Sequence, residues 1–467
     1  MFRRIGIRTL ALAVLAAATA CRDEGTSAPT MTAPPRASAN RSNDDAIDPS
    51  VYSMVRQLAK GRGIVPLQRA PRVRNELSQL GQALAFDPIL SGNKNISCMT
   101  CHMPAFATGD GKSVSVGEGG IGFGPTRERP NGVFIPRNAP PLFNMAAMKH
   151  LFWDGRVQLD AHGSVSTPAG TQVTARMQRV FEFGPISAIA MFPPTNRFEM
   201  RGQLGTNEVA AIDDANNPAI WDALMKRLGR IPEYRRMFRA AYPGVRFEDM
   251  NFAYAANAIG GFIVDKLTFD NTPWDQFLAG SNRALTKAQL DGAQTFLTLK
   301  CSICHNGSTF SDEQFHDVAV AQVGPGEGDG SGARDDFGRM RVTGDPADKY
   351  RFRTTPLRNV EFTAPYGHDG AIVTLRGFIQ HYSDSDIKLQ DYDSHQLEPA
   401  LRGTVLSNGA ALLAQRDTLL KGVVVPDSLV DKLVAYMSAL TDDDARHLNQ
   451  LVPDRVPSGL PVIPRHP

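Results

Sequence analysis

Apolar residues recur with helical spacing in four stretches of the chain, 75–84, 220–228, 285–296 and 429–440. One apolar side chain every three or four positions builds a stripe along one side of a helix. Each stretch therefore predicts an amphipathic helix with a face to bury. Thr286 is the expected N-cap of the third. Between these stretches lie runs without period, such as the glycine-rich segments 117–124 and 324–332. With 41 glycines and 32 prolines in the chain, the pattern predicts a mainly α protein with long irregular loops.

The two ends of the chain read differently. Arg3, Arg4 and Arg8 precede a short apolar run, 9–20, which is too short for a spanning helix and reads as an export signal. The run ends in Ala18-Thr19-Ala20-Cys21, similar to a bacterial lipoprotein processing site, although Ala18 stands where leucine is usual. The alternative is an ordinary secretory signal with Cys21 incidental. The expectation is a signal over 1–21, a lipid anchor on Cys21, a periplasmic location and membrane contact through that anchor alone. Residues 22–50 are rich in Ser, Thr, Pro, Ala and Asn and read as a flexible tether. The proline-rich tail 450–467 reads as extended or loosely docked.

The chain has 467 residues, ample for two or three domains. Its 50 Lys+Arg against 48 Asp+Glu carry no basic excess, which argues against a nucleic-acid partner.

One motif occurs twice. Cys98-Met99-Thr100-Cys101-His102 stands in the first half and Cys301-Ser302-Ile303-Cys304-His305 in the second. Each follows one of the predicted helices. Cys-x-x-Cys-His is the attachment signal for c-type haem. On one helical turn the two thiols face the same side and can form thioethers with the porphyrin, while the histidine next to them reaches the iron. A thioredoxin-like pair, a zinc site and a structural disulfide compete for a single copy. Two copies in an exported chain, whose fifth cysteine is at the processing site, favour two covalent haem c groups with His102 and His305 as proximal ligands. The body then divides into an N-terminal haem domain, 51–280, and a C-terminal one, 281–449, both cytochrome c-like.

Further motifs follow the same order as in a known family. They are Phe86-Asp87-Pro88-Ile89-Leu90-Ser91-Gly92-Asn93, Pro136-Arg137-Asn138-Ala139-Pro140, Phe152-Trp153-Asp154-Gly155-Arg156, Phe352-Arg353-Thr354-Thr355-Pro356-Leu357-Arg358-Asn359-Val360, and Thr363-Ala364-Pro365-Tyr366-Gly367-His368-Asp369-Gly370. Together with the two haem motifs, this set resembles the bacterial di-haem cytochrome c peroxidases and the related MauG enzymes over residues 75–442.

The resemblance implies roles for individual residues. The N-terminal haem is the one that meets peroxide and the C-terminal haem stores electrons. The family's sixth ligand to the second haem lies fourteen positions after the histidine of His-Asp-Gly, and here that position is Tyr382. Tyrosine stands there in MauG-type enzymes, methionine in the classical peroxidases. A phenolate is a hard anionic donor that lowers the haem potential. His381, His368 or a methionine is the alternative ligand. Some classical peroxidases close the first haem with a distal histidine, but residues 103–149 contain none. The first haem is expected to be open, unless Met103, Met145 or Met148 closes it. Glu199, in a Glu-Met pair six residues after Pro193, matches the distal acid/base. The alternative is a surface carboxylate beside Arg197 and Arg201. The family's distal glutamine would fall at Ile189, a departure. Trp153 matches the aromatic relay between the haems, or else is core packing. Asn138, with the backbone carbonyls of Thr363 and Pro365, matches an inter-haem calcium site.

The function implied is a peroxidase that reduces hydrogen peroxide with electrons from a small redox protein. A MauG-like oxidation of Trp or Tyr side chains on a partner protein is the alternative. A pure electron carrier is the third reading, and the missing distal histidine argues against it.

Overall fold

The computed structural model describes residues Ile47–Pro467, so the signal, Cys21 and nearly all of the tether lie outside the described residues. The described chain is mostly helical. Its strands form a three-stranded antiparallel ribbon (His150–Leu151, Val157–Leu159, Val165–Ser166) and one short pair, Phe315–His316 with Phe352–Arg353. All four predicted helices form, as Asn75–Phe86, Asn217–Gly229, Lys287–Thr298 and Asp427–Ala439. Thr286 caps the third: its hydroxyl accepts from the Gln289 amide, while Gln289 reaches back to the Thr286 amide at 2.9 Å. No described helix is long and apolar enough to cross a membrane.

Two large hydrophobic cores account for most of the buried apolar surface. In the first, Asn75–Phe86 packs along Phe252–Lys266, flanked by Asn217–Gly229 and Pro232–Ala241. In the second, Lys287–Thr298 packs along Asp427–Ala439. Both crossings are built alike. The helix preceding each haem motif carries a glycine where the backbones meet. A Cβ on Gly81 would lie 1.9 Å from the Ala258 carbonyl oxygen, and one on Gly292 would lie 1.9 Å from that of Lys432. Aromatic rings close each crossing: Phe86 against Phe262, and Phe296 against Tyr436.

The cores do not follow the order of the chain. Helix Pro49–Gly61 packs Tyr52, Val55 and Ala59 into the second core. It begins inside the predicted tether, because Asp48 caps it by accepting from the Ser50 amide. The tail is extended but firmly docked. Val452, Val456 and Ile463 are buried in the first core. The Ser458 hydroxyl donates to Asp87 at 2.6 Å, and the same buried carboxylate accepts from Tyr234.

Candidate active site

Each cysteine pair sits on a single helical turn, Cys98–Cys101 and Cys301–Cys304. The first turn is fixed by a reciprocal cap between Ser97 and Thr100. The following histidine closes each turn through its backbone amide, His102 onto the Cys98 carbonyl and His305 onto that of Cys301. The two rings are held in the same way. Nδ1 of His102 lies 3.0 Å from the Thr108 carbonyl oxygen, and Nδ1 of His305 lies 3.0 Å from that of Phe310. A carbonyl can only accept, so Nδ1 carries the hydrogen and Nε2 keeps a lone pair for a metal.

The four motif cysteines are free thiols, not disulfides. Desolvation lifts Cys98 and Cys301 to about 11 and Cys101 to about 12. Neutral, half-buried thiols do not suit a redox pair or a zinc site, both of which use thiolates.

Beside the second motif lies a cavity of about 390 Å³ with a mainly apolar lining. Cys301, Cys304, His305 and Tyr382 all face it. Tyr382 ends helix Leu375–Tyr382, and burial pushes its phenol above the usual range. Its hydroxyl has no hydrogen-bond partner among the described residues. The neighbouring His381 has its Nε2 2.8 Å from the Val318 carbonyl oxygen, which commits that nitrogen to the backbone. His368 also lines the cavity, stacked on Phe352 with ring centroids 3.8 Å apart, its buried Nε2 without a hydrogen bond and 3.7 Å from an Asp369 carboxylate oxygen. Arg353 is a buried cation of the wall without a carboxylate contact, and desolvation lowers it to about 10. An apolar cavity with a lone-pair histidine, an unpartnered phenol and an unpaired cation fits a porphyrin with its propionates.

Trp153 and Asn138 occupy another part of the same wall. The indole Nε1 donates to the Asn138 carbonyl at 2.8 Å. The Asn138 amide nitrogen donates to the carbonyls of Lys112 and Ser113, which leaves its Oδ1 as the free end. Thr363 and Pro365 line the cavity as well.

Glu199 belongs to a single π-helical turn, Arg197–Arg201, a geometry found disproportionately at functional sites. The Asn196 side chain caps the turn by accepting from the amides of Phe198 and Glu199. Gly92 donates its amide to the Met200 carbonyl at 2.8 Å, and Glu118 donates to that of Phe198 at 3.1 Å. Only glycine fits at Gly92, where a Cβ would lie 1.9 Å from the Arg201 carbonyl oxygen. Glu199 itself is half-buried, and desolvation lifts it to about 7 against the opposing field of Arg156. Its own charge acts on Cys98 and Cys101, so it faces the first motif. Arg197 and Arg201 do not neutralise it, since both are paired with Asp214.

Pro193 opens the short turn Pro193–Thr195 just before Glu199, and its carbonyl accepts from Asn196. Ile189 ends helix Pro185–Ile189 and packs against the first core. Met103, Met145 and Met148 are buried members of that core.

Arg137 and Asp154 stand inside two of the motifs, and their spacing in the sequence gives no sign of a role. They form a buried ion ladder. Arg137 bonds Asp154 at 2.7 Å and grips Asp336 with two bonds of 2.6 and 2.8 Å. The ladder ties the loop before Trp153 to the second half of the chain. The sequence gives no sign of His316 either. It bridges Asp417 at 2.6 Å and Asp312 at 3.1 Å. Burial opposes its charge, but hydrogen bonds to Asp312, Cys304 and Asp417 prevail and raise it to about 11. It lies with Cys304 and Asp312 in a cluster of metal-ligating atoms, with both ring nitrogens already committed to carboxylates.

Residues 75–283 match a family model described as di-haem cytochrome c peroxidase. The cytochrome c551 peroxidase of Pseudomonas aeruginosa is 30% identical over 308 residues, covering 66% of this chain and 72% of that protein. The methylamine utilization protein MauG of Methylorubrum extorquens is 28% identical over 319 residues, covering 68% and 71%. Among solved structures, a MauG-like protein associated with microbial copper homeostasis aligns with a TM-score of 0.57 and 25% identity, over 81% of this chain and 94% of that one. With two Cys-x-x-Cys-His turns and this likeness over most of its length, the chain belongs to the di-haem cytochrome c peroxidase and MauG family and is a peroxidase-type oxidoreductase.

Proposed function

We propose that this protein reduces hydrogen peroxide to water through two covalent haem c groups of unequal roles. Each group belongs to one cytochrome c-like unit. Cys98, Cys101 and His102 hold the first, and Cys301, Cys304, His305 and Tyr382 hold the second. The observation that carries the proposal is the half-buried Glu199, held on a capped π turn beside the first motif while the arginines of that turn are paired with Asp214; desolvation raises its carboxyl to about 7. A general acid/base works best with a pKa near the working pH, because it must both take and return a proton.

Haem iron, when bound, supplies the redox centre and a site for a peroxide oxygen. His102 is oriented for it by the Thr108 carbonyl. Glu199 takes the proton from the near peroxide oxygen and delivers it to the departing one. Pro193 shapes the turn that leads to it. Overall, peroxide accepts two electrons and two protons and leaves as two waters. Trp153, fixed by its bond to Asn138, relays electrons between the two sites. A small redox protein supplies them.

The unpartnered hydroxyl of Tyr382 supports its role as the sixth ligand, and the bond from His381 to Val318 argues against the rival histidine. Calcium at Asn138, Thr363 and Pro365 is supported by the free Asn138 Oδ1. It is supported also by the two backbone carbonyls, which accept no backbone hydrogen bond among the described residues. Export through segment 1–21, with a lipid on Cys21, completes the reading.

Tyr382 also favours a second reading, the MauG-like oxidation of a partner protein.

Electron paramagnetic resonance of the oxidised holoprotein tests the proposal. One high-spin and one low-spin iron are expected, with two covalent porphyrins by mass. Two low-spin irons, both before and after reduction, would overturn it. Rapid turnover with a reduced small cytochrome favours the peroxidase. A long-lived oxidised state that only a protein client discharges favours the MauG-like reading.

A further inference from the structure

The turn that carries Glu199 is gripped on two sides, and each grip is made by backbone that comes close at a glycine. On one side the Gly92 amide donates to the Met200 carbonyl at 2.8 Å, and a Cβ on Gly92 would lie 1.9 Å from the Arg201 carbonyl oxygen. On the other the Glu118 amide donates to the Phe198 carbonyl at 3.1 Å, and a Cβ on Gly117 would lie 1.8 Å from that same oxygen. One jaw therefore touches the residue before Glu199, and the other touches the two residues after it. Any side chain at either glycine would push the jaw away.

The two jaws are anchored differently. The first, residues 91–95, is tied to helix Asn217–Gly229. The buried guanidinium of Arg227 donates to the carbonyls of Ile89 at 2.9 Å, Ser91 at 2.6 Å and Gly92 at 3.3 Å. The second belongs to the glycine-rich loop, which is braced from within. Arg127 donates to the carbonyls of Val116, Gly117 and Gly122, each at 2.9 Å, and the Gly117 amide donates to Val133. These bonds fix the shape of the loop, but none of them reaches beyond it. The half-buried side chain of Glu118 does. Its Oε1 accepts from Asn93 at 2.7 Å and from Asn95 at 2.8 Å. Both asparagines belong to the first jaw, so this carboxylate joins one jaw to the other beside the turn.

We infer that Glu118 is a positioning residue for the reaction with peroxide: its carboxylate latches the glycine-rich loop to the segment before Cys98 and so closes a clamp on the Glu199 turn. The latch acts through geometry, since a single oxygen accepts both bonds. The segment it grips leads directly into the first haem motif, so Glu199 and that motif are held in one frame. A general acid/base must stay within hydrogen-bond reach of the proton it moves, and a displacement of about 1 Å can cost about 10²-fold in rate. The inference rests on the proposed role of Glu199.

The test uses the holoprotein with Glu118→Ala, Glu118→Gln, Asn95→Ala and Glu199→Gln, the last both alone and combined with Glu118→Ala. Stopped-flow mixing gives the rate constant for peroxide with the resting protein. Hydrogen exchange read by mass spectrometry gives the protection of segments 91–95 and 117–120. Glu118→Ala is expected to lose about 10–100-fold in rate and to exchange faster in both segments, with haem content and the spectrum of the second haem unchanged. Glu118→Gln keeps the accepting oxygen and should restore both rate and protection. Asn95→Ala removes one of the two bonds, should fall between, and stands as the test if Glu118→Ala does not fold. Beside Glu199→Gln, Glu118→Ala should cost nothing further, because it acts through Glu199. The latch is overturned by a wild-type rate in Glu118→Ala, or in Asn95→Ala where that variant stands in for it. It is overturned also if Glu118→Gln is as slow as Glu118→Ala, or if Glu118→Ala costs as much beside Glu199→Gln as it does alone. In each of these cases a slow Glu199→Gln leaves the reading of Glu199 standing. If Glu199→Gln retains the full rate, that reading fails and this inference with it.

Discussion

In the proposed function Glu199 and Tyr382 carry the asymmetry of the two sites, and each yields a prediction. Glu199→Gln keeps the shape of the side chain and removes its acid/base function. Peroxide reactivity should fall by roughly 10²–10⁴ with haem content unchanged, as stopped-flow mixing and haem staining would report. If Tyr382 is the sixth ligand, Tyr382→His replaces an anionic oxygen donor by a neutral nitrogen. The second haem should then be reduced more easily, seen as a rise in its midpoint in potentiometric titration. If that variant keeps the wild-type spectrum and midpoint, Tyr382 is not the ligand. Both candidates stand out in the sequence only through the order of motifs around them, since a lone Glu or Tyr carries no signal. His102 and His305 were legible from spacing alone. Asp336 was not legible at all, because its partner Arg137 is remote in sequence and the pair meets only after folding. Arg353 and His316 escaped for the same reason: their meaning lies in a cavity wall and in two carboxylates brought there by other segments.

Among the elements, the helices were readable because burial imposes a period on the sequence. Their glycines were not, since a close approach depends on the partner helix. Gly292→Ala should force Lys287–Thr298 away from Asp427–Ala439, because the new Cβ would overlap the Lys432 carbonyl. A cost of about 1–3 kcal/mol or more is expected, measured as a lower urea midpoint. The π turn at Arg197–Arg201 was equally hidden, as it arises from Asn196, Gly92 and Glu118 acting together. Gly92→Ala makes a sharper test of that turn. It should displace Glu199 and slow the reaction with peroxide while leaving the haem content and the spectrum of the second haem unchanged. Equal losses in both haems would mean that the turn supports the fold rather than the site.

At the scale of the whole molecule, the two cores exchange the ends of the chain. The first helix packs on the second core and the tail packs on the first, so neither half of the sequence closes its own core. Composition hid this exchange. A proline-rich tail reads as extended, and extension says nothing about docking. Three buried side chains, Val452, Val456 and Ile463, hold the tail down. At roughly 1.5–3 kcal/mol for each such side chain, their removal costs on the order of 5 kcal/mol, within the range of total stability for a domain. The bond from Ser458 to Asp87 goes with them. That carboxylate begins the turn Pro88–Leu90, which leads into Gly92 and so toward Glu199. A chain ending at Asn449 should therefore lose stability first around the first haem. In thermal unfolding followed by haem absorption, the high-spin signal should be lost at a markedly lower temperature than the low-spin one. Val456→Asp, which buries a charge in the same place without removing backbone, should act in the same direction. A single transition shifted equally for both haems would mean instead that the exchanged ends weld the two units into one cooperative body.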